Sequence, residues 1–486
     1  MVEAALCGEL TEKQAQRLYR LGPEAVTLAL MAASKRIAEL QGSSQTHPPS
    51  PSTPSGMVPI YTKPNTPKRR KKPGAKKGHP GHRRQKPARI DDHQTHRLKR
   101  CPCCDGPLQR CERKRTRVIE DIPEEIESVV TEHTIHRDYC PKCKKHVEPV
   151  VPDALPRATI GHHLIALTAW LHYGLGVTID QIVDILGYHL QTDLTPGGLI
   201  NAWQRLSEIL LAWYEQIAEE AKNSAYLHAD ETGWRVNGQG CWLWCFANDR
   251  NCYYTIEYCR GSPVVQKFFT EAFDGVLITD FWAAYDSVDA ADRQKCLPHL
   301  LRELEKVDQR NDSAEWQAFA KRLRRLLRDG IRLRKRPDFA PERYRGRIDR
   351  LNRRVGQMAR EEHADADARR LTKRLRRYGE YIFTFLDYVY VPHDNNFGER
   401  QIRPAVILRK NSQSNRSDRG AATQAVLMSV YRTLKLRGLN PTKTMADALR
   451  TYVMTGRLPV LPGGAAGTEG RQHDALRPRA ASPGSA

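Results

Sequence analysis

Two apolar runs, AYLHAD at residues 225–230 and GVLITD at residues 275–280, decide the fold that the sequence predicts. Both are short, contain β-branched or aromatic residues and end at an aspartate, which is typical of a buried strand followed by a turn. GCWLWCFAN (240–248) and NCYYTIEYC (251–259) predict two more strands, and SPVVQKFFTEAF (262–273) predicts a helix that begins at a serine and a proline. Strands mixed with helices predict an α/β fold.

The aspartates that end the first two runs, Asp230 and Asp280, are candidates for a metal site. An enzyme that cuts a phosphodiester needs hard oxygen ligands for Mg²⁺, and two ions about 3.5–4 Å apart serve both the attacking and the leaving oxygen. Strand pairing fixes the direction of side chains, so we expect both carboxylates to point into one crevice from the ends of their strands. Either aspartate taken alone is better explained as a turn former.

A third acidic residue stands in VPHDNNFGERQIRP (391–404), which predicts a helix that is capped by Asp394 and interrupted at Pro404. This helix carries Glu399 among several arginines, which suits a carboxylate that lies near both a metal ion and a phosphate. The alternative is a surface helix with ordinary ion pairs, which contribute little to stability.

Two CxxC motifs, Cys101-Pro-Cys-Cys104 and Cys140-Pro-Lys-Cys143, predict a structural zinc site. Four thiolates complete a tetrahedral Zn²⁺ shell and leave no open catalytic position. Only Cys104 has the two-residue spacing from Cys101, so Cys103 is the weaker candidate, and the long spacer suits a zinc-ribbon-like domain with a strand pair between the motifs. Four further cysteines are predicted to be small buried hydrophobic residues, with a second metal site as the alternative: Cys241, Cys245, Cys252 and Cys259.

The composition indicates a polyanionic partner. Among 486 residues, 78 Lys and Arg stand against 56 Asp and Glu, which gives a formal net charge of +22. Eleven of these cations and no acid lie within residues 68–89, which predicts an arm that tracks DNA phosphates without reading sequence, or else an ordinary solvated spacer. The candidate contacts in this arm are Lys68, Arg69, Arg70, Lys71, Lys72, Lys76, Lys77, Arg83 and Arg84.

No apolar run is long enough to span a bilayer, and the N-terminus lacks a signal pattern, so no membrane partner and a cytoplasmic location are expected.

The sequence predicts six segments. The segments are an N-terminal helical segment (1–41), a Pro-, Lys- and Arg-rich linker with the basic arm (42–94), a zinc-binding domain (95–150), a helix-turn-helix-like helical domain (151–223), an α/β domain with a helical insertion at about 298–390 (224–450) and a tail that is expected to be disordered after about 460 (451–486).

Several of these stretches together resemble the IS66 family of DDE transposases. The resemblance is carried by HADETGW (228–234), LITDFWAAYD (277–286), CLPHLLREL (296–304) and DNNFGERQIRPAVILRKNS (394–412), which occur in the order of the family. The CPCC and CPKC motifs behind KKGHPGH (76–82) resemble the N-terminal zinc-binding domain of that family.

The resemblance implies an RNase H-like catalytic core in which Asp230, Asp280 and Glu399 bind two Mg²⁺ or Mn²⁺ ions. The implied activity is strand cleavage at transposon ends followed by attack of the freed 3′-OH on target DNA. A homo-oligomer in a synaptic complex, small accessory proteins of the same element and a place at the bacterial nucleoid are expected partners and location. Residues expected to contact DNA near the site are His299, Arg302, Arg400, Arg403, Arg409 and Lys410.

Other interpretations stay open at this point. Glu231 is a weaker metal candidate because a continuing strand turns it to the opposite face from Asp230. Trp282 and Tyr285 could stack on an unpaired base or pack in the core. The whole chain could instead be a zinc-containing DNA-binding regulator without catalysis, or an RNase H-like nuclease that acts on RNA or on a branched junction.

Overall fold

The computed structural model describes residues 126–463 without a break, together with 87, 89–109, 115–123 and a few positions between 16 and 27. The predicted DNA contacts from Lys68 to Arg84 lie outside the described residues, as do most of the predicted N-terminal helix and the tail after residue 463.

The chain divides into two compact units. Of the described residues, the larger unit contains 150–178, 200–463 and the few positions between 16 and 27, and the smaller unit contains 179–199 and those between 87 and 149. The six segments predicted from the sequence are finer than this division and stay a prediction. The helices of the described part are α1 (His162–Ala169), α2 (Ile179–Leu190), α3 (Pro196–Ile209), α4 (Leu211–Lys222), α5 (Ser262–Phe268), α6 (Leu297–Asp308), α7 (Ala314–Arg334), α8 (Pro341–Arg360), α9 (Ala366–Tyr378), α10 (Asn396–Ser412), α11 (Asp418–Leu436) and α12 (Pro441–Thr455), with a π-helical turn at Trp170–Gly174.

The smaller unit contains a short antiparallel hairpin of β1 (Asp138–Cys140) and β2 (Lys145–Val147). The hairpin flanks the second CxxC motif, because β1 ends at Cys140 and β2 begins just after Cys143. The strand pair that we expected between the two motifs therefore surrounds the second motif instead. A four-residue turn (141–144) that carries Cys143 closes the hairpin, and Cys140 is the last residue of β1, so the hairpin positions both thiols.

The larger unit is built on a five-stranded mixed sheet in the order β5-β4-β3-β6-β7. Its strands are β3 (Tyr226–Val236), β4 (Gln239–Ala247), β5 (Cys252–Glu257), β6 (Phe273–Thr279) and β7 (Ala290–Lys295). Strands β5, β4 and β3 pair antiparallel with one another, whereas β6 pairs in parallel with both β3 and β7. Asn237 and Gly238 close the β3–β4 hairpin with positive φ angles of 48° and 76°, the geometry that a two-residue Asn-Gly turn favours. The predicted mixed α/β sheet is confirmed.

The register of β3 corrects one expectation. Asp230 lies inside β3 and not at its end, because the strand continues to Val236 by pairing with β4. Pairing with β6 stops much earlier, at the residue pair His228 and Ile278. Asp230 and Asp280 each lie two residues beyond that last pair, so both carboxylates follow the point at which two parallel strands part.

Strand β7 was not predicted, because its sequence, AADRQK, is polar and has little strand propensity. The strand nevertheless buries Gln294 and Lys295, each with no exposed surface. Both residues are satisfied by hydrogen bonds: Gln294 donates to the Ile382 carbonyl at 3.2 Å and Lys295 donates to the Thr279 hydroxyl at 3.0 Å. Tertiary partners therefore replace the apolar pattern on which strand prediction relies.

Alternate residues of β6 face two separate cores, so the sheet is covered on both sides. Val276 and Ile278 pack against the buried faces of α6 to α9, and Leu277 packs with α4 and α5 on the other side. Residues 297–378 are thus mostly helical, as the sequence predicts. Within the part of the chain that the structure describes, no helix is long and apolar enough to cross a membrane.

Gly275 at the start of the buried part of β6 provides a test of this packing. A Cβ at this position would lie 2.5 Å from the Ser224 carbonyl oxygen and 2.9 Å from that of Ala225. Because these are backbone atoms, we expect Gly275→Ala to lower the free energy of unfolding by about 1–3 kcal/mol. The measurement is urea unfolding followed by circular dichroism.

Gly346→Ala in α8 is the matched control, because a Cβ there meets nothing within 4 Å. Replacing a glycine inside a helix should raise the free energy of unfolding by about 0.5–1 kcal/mol. Equal unfolding midpoints for the two variants would contradict the proposed packing at Gly275.

Candidate active site

Asp230 is the most perturbed carboxyl group of the candidate site. Burial raises its pKa well above the usual range, and the negative charges of Glu231, Asp280 and Glu399 raise it further, while the Glu231 backbone N–H, which donates to Asp230 Oδ1 at 2.9 Å, opposes the shift. Each of these charges can act on Asp230 only because the fold brings them close together. Strongly perturbed carboxyl groups of this kind are concentrated at functional sites.

Asp280 follows β6 directly and begins a tight turn. Its Oδ1 accepts the Trp282 backbone N–H at 2.8 Å, and the 3-10 turn Ala283–Ser287 follows. Asp286 in that turn is bound by the Tyr378 hydroxyl at 2.8 Å and by the Arg377 guanidinium at 2.6 Å. These contacts fix the direction in which the chain leaves β6 and so fix Asp280.

Glu399 lies in the first turn of α10 and contacts two residues of α6. Arg302 donates to Glu399 Oε1 at 3.1 Å, and His299 Nε2 lies 3.6 Å from the same oxygen. Burial lowers the pKa of His299, and the nearby Arg302 lowers it further, whereas the charges of Asp280 and Glu399 act in the opposite direction. His299 therefore lies near two of the three predicted acidic residues. The prediction that His299 and Arg302 share one helix face holds.

A buried asparagine fixes the start of α10 against β3. Asn395 is 1% exposed, and it accepts a hydrogen bond from His228 Nδ1 at 2.8 Å and donates one to the Ala229 carbonyl at 3.0 Å. Burial lowers the pKa of His228 to about 4, so the ring is neutral and its Nδ1 carries the proton that Asn395 accepts. Both contacts on β3 are next to Asp230, and Glu399 is one helical turn beyond Asn395. The sequence argument missed both roles, although both residues lie in the HADETGW and DNNFGER motifs.

Two expectations about α10 were wrong. The residue that precedes the helix is Asn395 and not Asp394, although the Asp394 carboxylate does accept the Asn396 backbone N–H at 3.0 Å. The helix also continues through Pro404 to Ser412. Its buried face, which includes Ile402, packs against the rest of the larger unit. This packing offsets the loss of the one backbone hydrogen bond that proline removes.

Glu231 has a separate set of partners. Its side chain, 3% exposed, forms an ion pair with Arg260 at 2.7 Å and accepts a hydrogen bond from the Tyr285 hydroxyl. The Arg260 guanidinium lies between the rings of Trp242 and Trp282, 4.4 and 4.0 Å from their centres. Tyr285 is therefore a core residue, and Trp282 packs on Arg260. These partners hold Glu231 in place.

The predicted DNA-contacting residues of α10 differ in their surroundings. Arg400, Arg403 and Lys410 are exposed. Arg409 is partly buried and donates to the Thr232 hydroxyl at 3.2 Å and to the Gly233 carbonyl, so its guanidinium joins α10 to β3.

The cysteine motifs have the local geometry of thiolate-stabilising turns. Backbone N–H groups of Cys103 and Cys104 lower the pKa of Cys101, and those of Cys143 and Lys142 lower the pKa of Cys140. Among the strand cysteines, burial is confirmed for Cys241, Cys245 and Cys252, but Cys259 is exposed, because β5 ends two residues before it.

No three of the described His, Cys, Asp and Glu side chains stand close enough to each other to hold a metal ion. Both predicted sites nevertheless have donors of the right chemistry. The carboxylates are hard oxygen ligands whose mutual repulsion a divalent cation would relieve, and the two cysteine motifs each present a pair of thiols.

The chain also matches the model of a known protein family. Residues 157–423, more than half of the chain, match the model of the transposase IS66 family. The chain therefore belongs to this family, and the resemblance stated from the motifs between residues 228 and 412 is confirmed. The N-terminal zinc-binding domain lies outside the matched residues and stays a prediction.

Two curated relatives come from Sinorhizobium fredii (strain NBRC 101917 / NGR234). The chain is similar to "Uncharacterized protein y4jD", with 23% identity over 394 residues that cover 73% of this chain and 74% of the relative. It is also similar to "Uncharacterized protein y4qI", with 25% identity over 270 residues; here the match spans about half of each protein, 48% and 49%. Neither name states an activity.

The buried Lys295 predicts how the stability of the fold depends on pH. Burial lowers its pKa from 10.5 to about 8, although Asp286 at 3.6 Å and the more distant Asp280 oppose the shift. Between about pH 8 and 10.5 the unfolded chain therefore binds this proton more readily than the folded chain, so stability from this group rises with pH. We expect a rise of up to about 3 kcal/mol, absent in Lys295→Met.

The measurement is urea unfolding of both proteins at pH 7.5 and pH 10. The free energy of unfolding of the wild type minus that of Lys295→Met should be larger at pH 10. Lys267→Met, at an exposed lysine, is the control and should leave the difference from the wild type unchanged across this range. A pH-independent difference for Lys295→Met would disprove the prediction.

Proposed function

We propose that this chain is a DNA transposase that binds transposon ends, cleaves a strand there and joins the freed 3′-OH to target DNA, with Asp230, Asp280 and Glu399 as its catalytic residues. The observation that carries the proposal is the electrostatic coupling of Asp230 to both Asp280 and Glu399, residues far apart in the chain. Family membership supports a transposase, a class of enzyme that transfers phosphoryl groups in nucleic acid.

The sheet supports an RNase H-like core for this activity. The order β5-β4-β3-β6-β7, with an antiparallel half and a parallel half, is the order expected for that fold. The helices α6 to α9 then form the expected insertion between the last strand and the helix that carries Glu399.

Asp230, Asp280 and Glu399 would hold Mg²⁺ or Mn²⁺. When bound, the ions would activate the attacking oxygen and stabilise the leaving oxygen. A bound cation would compete with Arg302 and His299 for the Glu399 carboxylate, and these two side chains would then contact a DNA phosphate. Arg400 and Arg403 lie on the same helix as Glu399, and their exposed guanidinium groups suit bidentate contacts with phosphate.

The other proposed parts are a structural zinc ion and the assembly. Cys101, Cys104, Cys140 and Cys143 would hold Zn²⁺, which would fix a small domain that presents the basic arm to DNA. Pairing of two transposon ends requires two active sites, so we propose a homo-oligomer on DNA. Accessory proteins of the same element are the further partners that the resemblance implies.

The catalytic assignment is tested with Asp230→Asn, Asp280→Asn and Glu399→Gln on a duplex that carries the inverted repeats of the element. Loss of even an indirect metal partner costs about 10–100-fold, so each substitution should lower the rate of strand cleavage by at least about 100-fold. The dissociation constant for DNA should change little. Cleavage and joining are measured on denaturing gels.

Asp274→Asn is the matched control. Asp274 lies on β6, the strand that Asp280 follows directly, but Asp274 is exposed. This variant should cleave at the rate of the wild type. Persistent cleavage in all three site variants would refute the assignment. Binding by the wild type without any cleavage would support the regulator, and cleavage without joining would support the nuclease.

The zinc assignment is tested by metal content. Cys140→Ser should lower bound zinc from about one to about zero per chain, because three thiolates hold the ion far more weakly than four. Cys103→Ser is the matched control and should retain zinc, whereas Cys104→Ser should lose it. The measurement is atomic emission on purified protein, and full zinc retention in Cys140→Ser would remove the proposal.

A further inference from the structure

A cleft of about 410 Å³ lies between α7 and α8. Each helix, with the residues just after α7, contributes four positions at the spacing i, i+3, i+4, i+7, which is one helix face. The lining consists of five arginines, two leucines and one aspartate: Asp329, Arg332, Leu333, Arg336, Arg347, Arg350, Leu351 and Arg354. We call it the arginine cleft.

The floor of the arginine cleft is rigid. Leu333 and Leu351 are 7% and 6% exposed and belong to the core that packs α6 to α9 against the sheet. Separating α7 from α8 would expose this core to water, so the spacing of the arginines is set before any ligand binds. A preformed site loses little conformational entropy on binding.

The charges of the arginine cleft are not balanced. Asp329 is shared by Arg354 at 3.2 Å and Arg332 at 3.5 Å. Among the ion pairs of the described residues, neither Arg347 nor Arg350 has a carboxylate partner. Some other arginines of these helices are paired with acids, as Arg322 is with Glu361 and Arg324 with Asp308.

Helix stability accounts for only part of this charge. Arginines in the last turn of α7 interact favourably with the negative end of the helix dipole. Arg347, Arg350 and Arg354 lie in the interior of α8 and gain nothing from a helix end. Like charges four residues apart on one helix destabilise it, so a stripe of this kind favours a bound polyanion.

The end of α7 lies close to the segment that leads into α10. Arg334 in the last turn of α7 donates to the Val389 carbonyl, in the segment that precedes α10. Burial lowers the pKa of His393, three residues before α10, and the charge of Arg334 lowers it further. Arg332 and Arg336 of the arginine cleft are each two residues from Arg334, so this end of the cleft is near the start of α10.

We propose that the arginine cleft binds the phosphate backbone of duplex DNA that flanks the phosphodiester cut at the active site. This inference rests on the proposed function and adds to it a second DNA contact on the helical insertion. Guanidinium groups bind phosphate oxygens in bidentate pairs, and a cleft that offers no hydrogen-bond acceptors except one aspartate reads backbone charge and not base sequence.

The test uses the full chain with Arg347→Ala and Arg350→Ala combined. Loss of two phosphate contacts should weaken binding of a duplex by about 10–100-fold at 0.1 M salt and reduce the slope of log affinity against log salt by about 2. The loss should be equal for end-sequence and random duplexes. Affinity is measured by fluorescence anisotropy at four salt concentrations.

Two variants serve as controls. Arg353→Ala combined with Arg360→Ala removes the same charge from α8 outside the arginine cleft and should leave the slope nearly unchanged. Arg347→Lys combined with Arg350→Lys keeps the charge and should keep the slope, which separates charge loss from misfolding.

Equal slopes for the cleft variant and the Arg353/Arg360 control would overturn the arginine cleft as a DNA site. A loss confined to one DNA sequence would also overturn it, because backbone contacts carry no sequence preference. Asp230→Asn should abolish cleavage without changing the slope, so failure of the catalytic proposal and failure of the cleft proposal produce different results.

Discussion

The arrangement of the candidate site depends on one buried side chain, Asn395, which joins the helix that carries Glu399 to the strand that carries Asp230. Its amide satisfies the His228 ring and the Ala229 carbonyl at once, and neither group has access to water. An apolar residue of similar size would leave both groups unsatisfied, at a cost of about 1–3 kcal/mol for each. The same contacts set the position of Glu399, one turn further along α10. Gly398 permits this arrangement, because a Cβ there would lie 2.8 Å from the Asn395 side-chain oxygen. Stability and the placement of an acidic residue are therefore consequences of the same hydrogen bonds.

The site itself opposes folding. Asp230, Glu231 and Asp280 are like charges in a partly buried place, and burial together with their mutual repulsion raises the pKa of Asp230 and of Glu231. The fold compensates unevenly. Glu231 receives Arg260 and Tyr285, Glu399 receives Arg302, and Asp286 receives Lys295 and Arg377, whereas Asp230 receives no cation within ion-pair distance among the described residues. A polar group that is left under-compensated while its neighbours are satisfied is typical of a functional position, since function and not stability then explains its retention.

The sequence predicted the parts of this architecture that repeat a pattern, and missed the parts that depend on single long-range contacts. The strands β3 to β6 follow from short runs rich in β-branched and aromatic residues, and the helices α6 to α9 lie in the region predicted to be a helical insertion. Strand β7 could not be predicted, because Gln294 and Lys295 are buried only through partners that lie elsewhere in the chain. The length of β3 was underestimated for a similar reason: ETGWRV reads as a turn and then a short run until β4 is available to pair with it. For the site, residue types made Asp230, Asp280 and Glu399 candidates and the resemblance joined them into one triad, which stays a prediction. The roles of His228 and Asn395 needed coordinates, because nothing in a single sequence indicates which polar residue reaches across 167 positions.

Arginines have two different roles in this structure. In the core of the larger unit, arginine is structural: Arg370 and Arg374 both bind Glu303, which is 4% exposed, and so join α9 to α6. Removing the glutamate would leave two guanidinium groups without their acid, which is why such a network is expensive to alter. In the arginine cleft the ratio of arginine to acid is reversed, because five arginines and one aspartate line it. Among the described residues, Arg347 and Arg350 have no acidic ion-pair partner. Burial cannot explain this second group, because Arg332 keeps 73% of its side-chain surface exposed. A net charge of +22 is therefore not spread evenly over the molecule. Part of it neutralises acids inside the fold, and the remainder is free to attract phosphate, as the proposed contact with DNA requires.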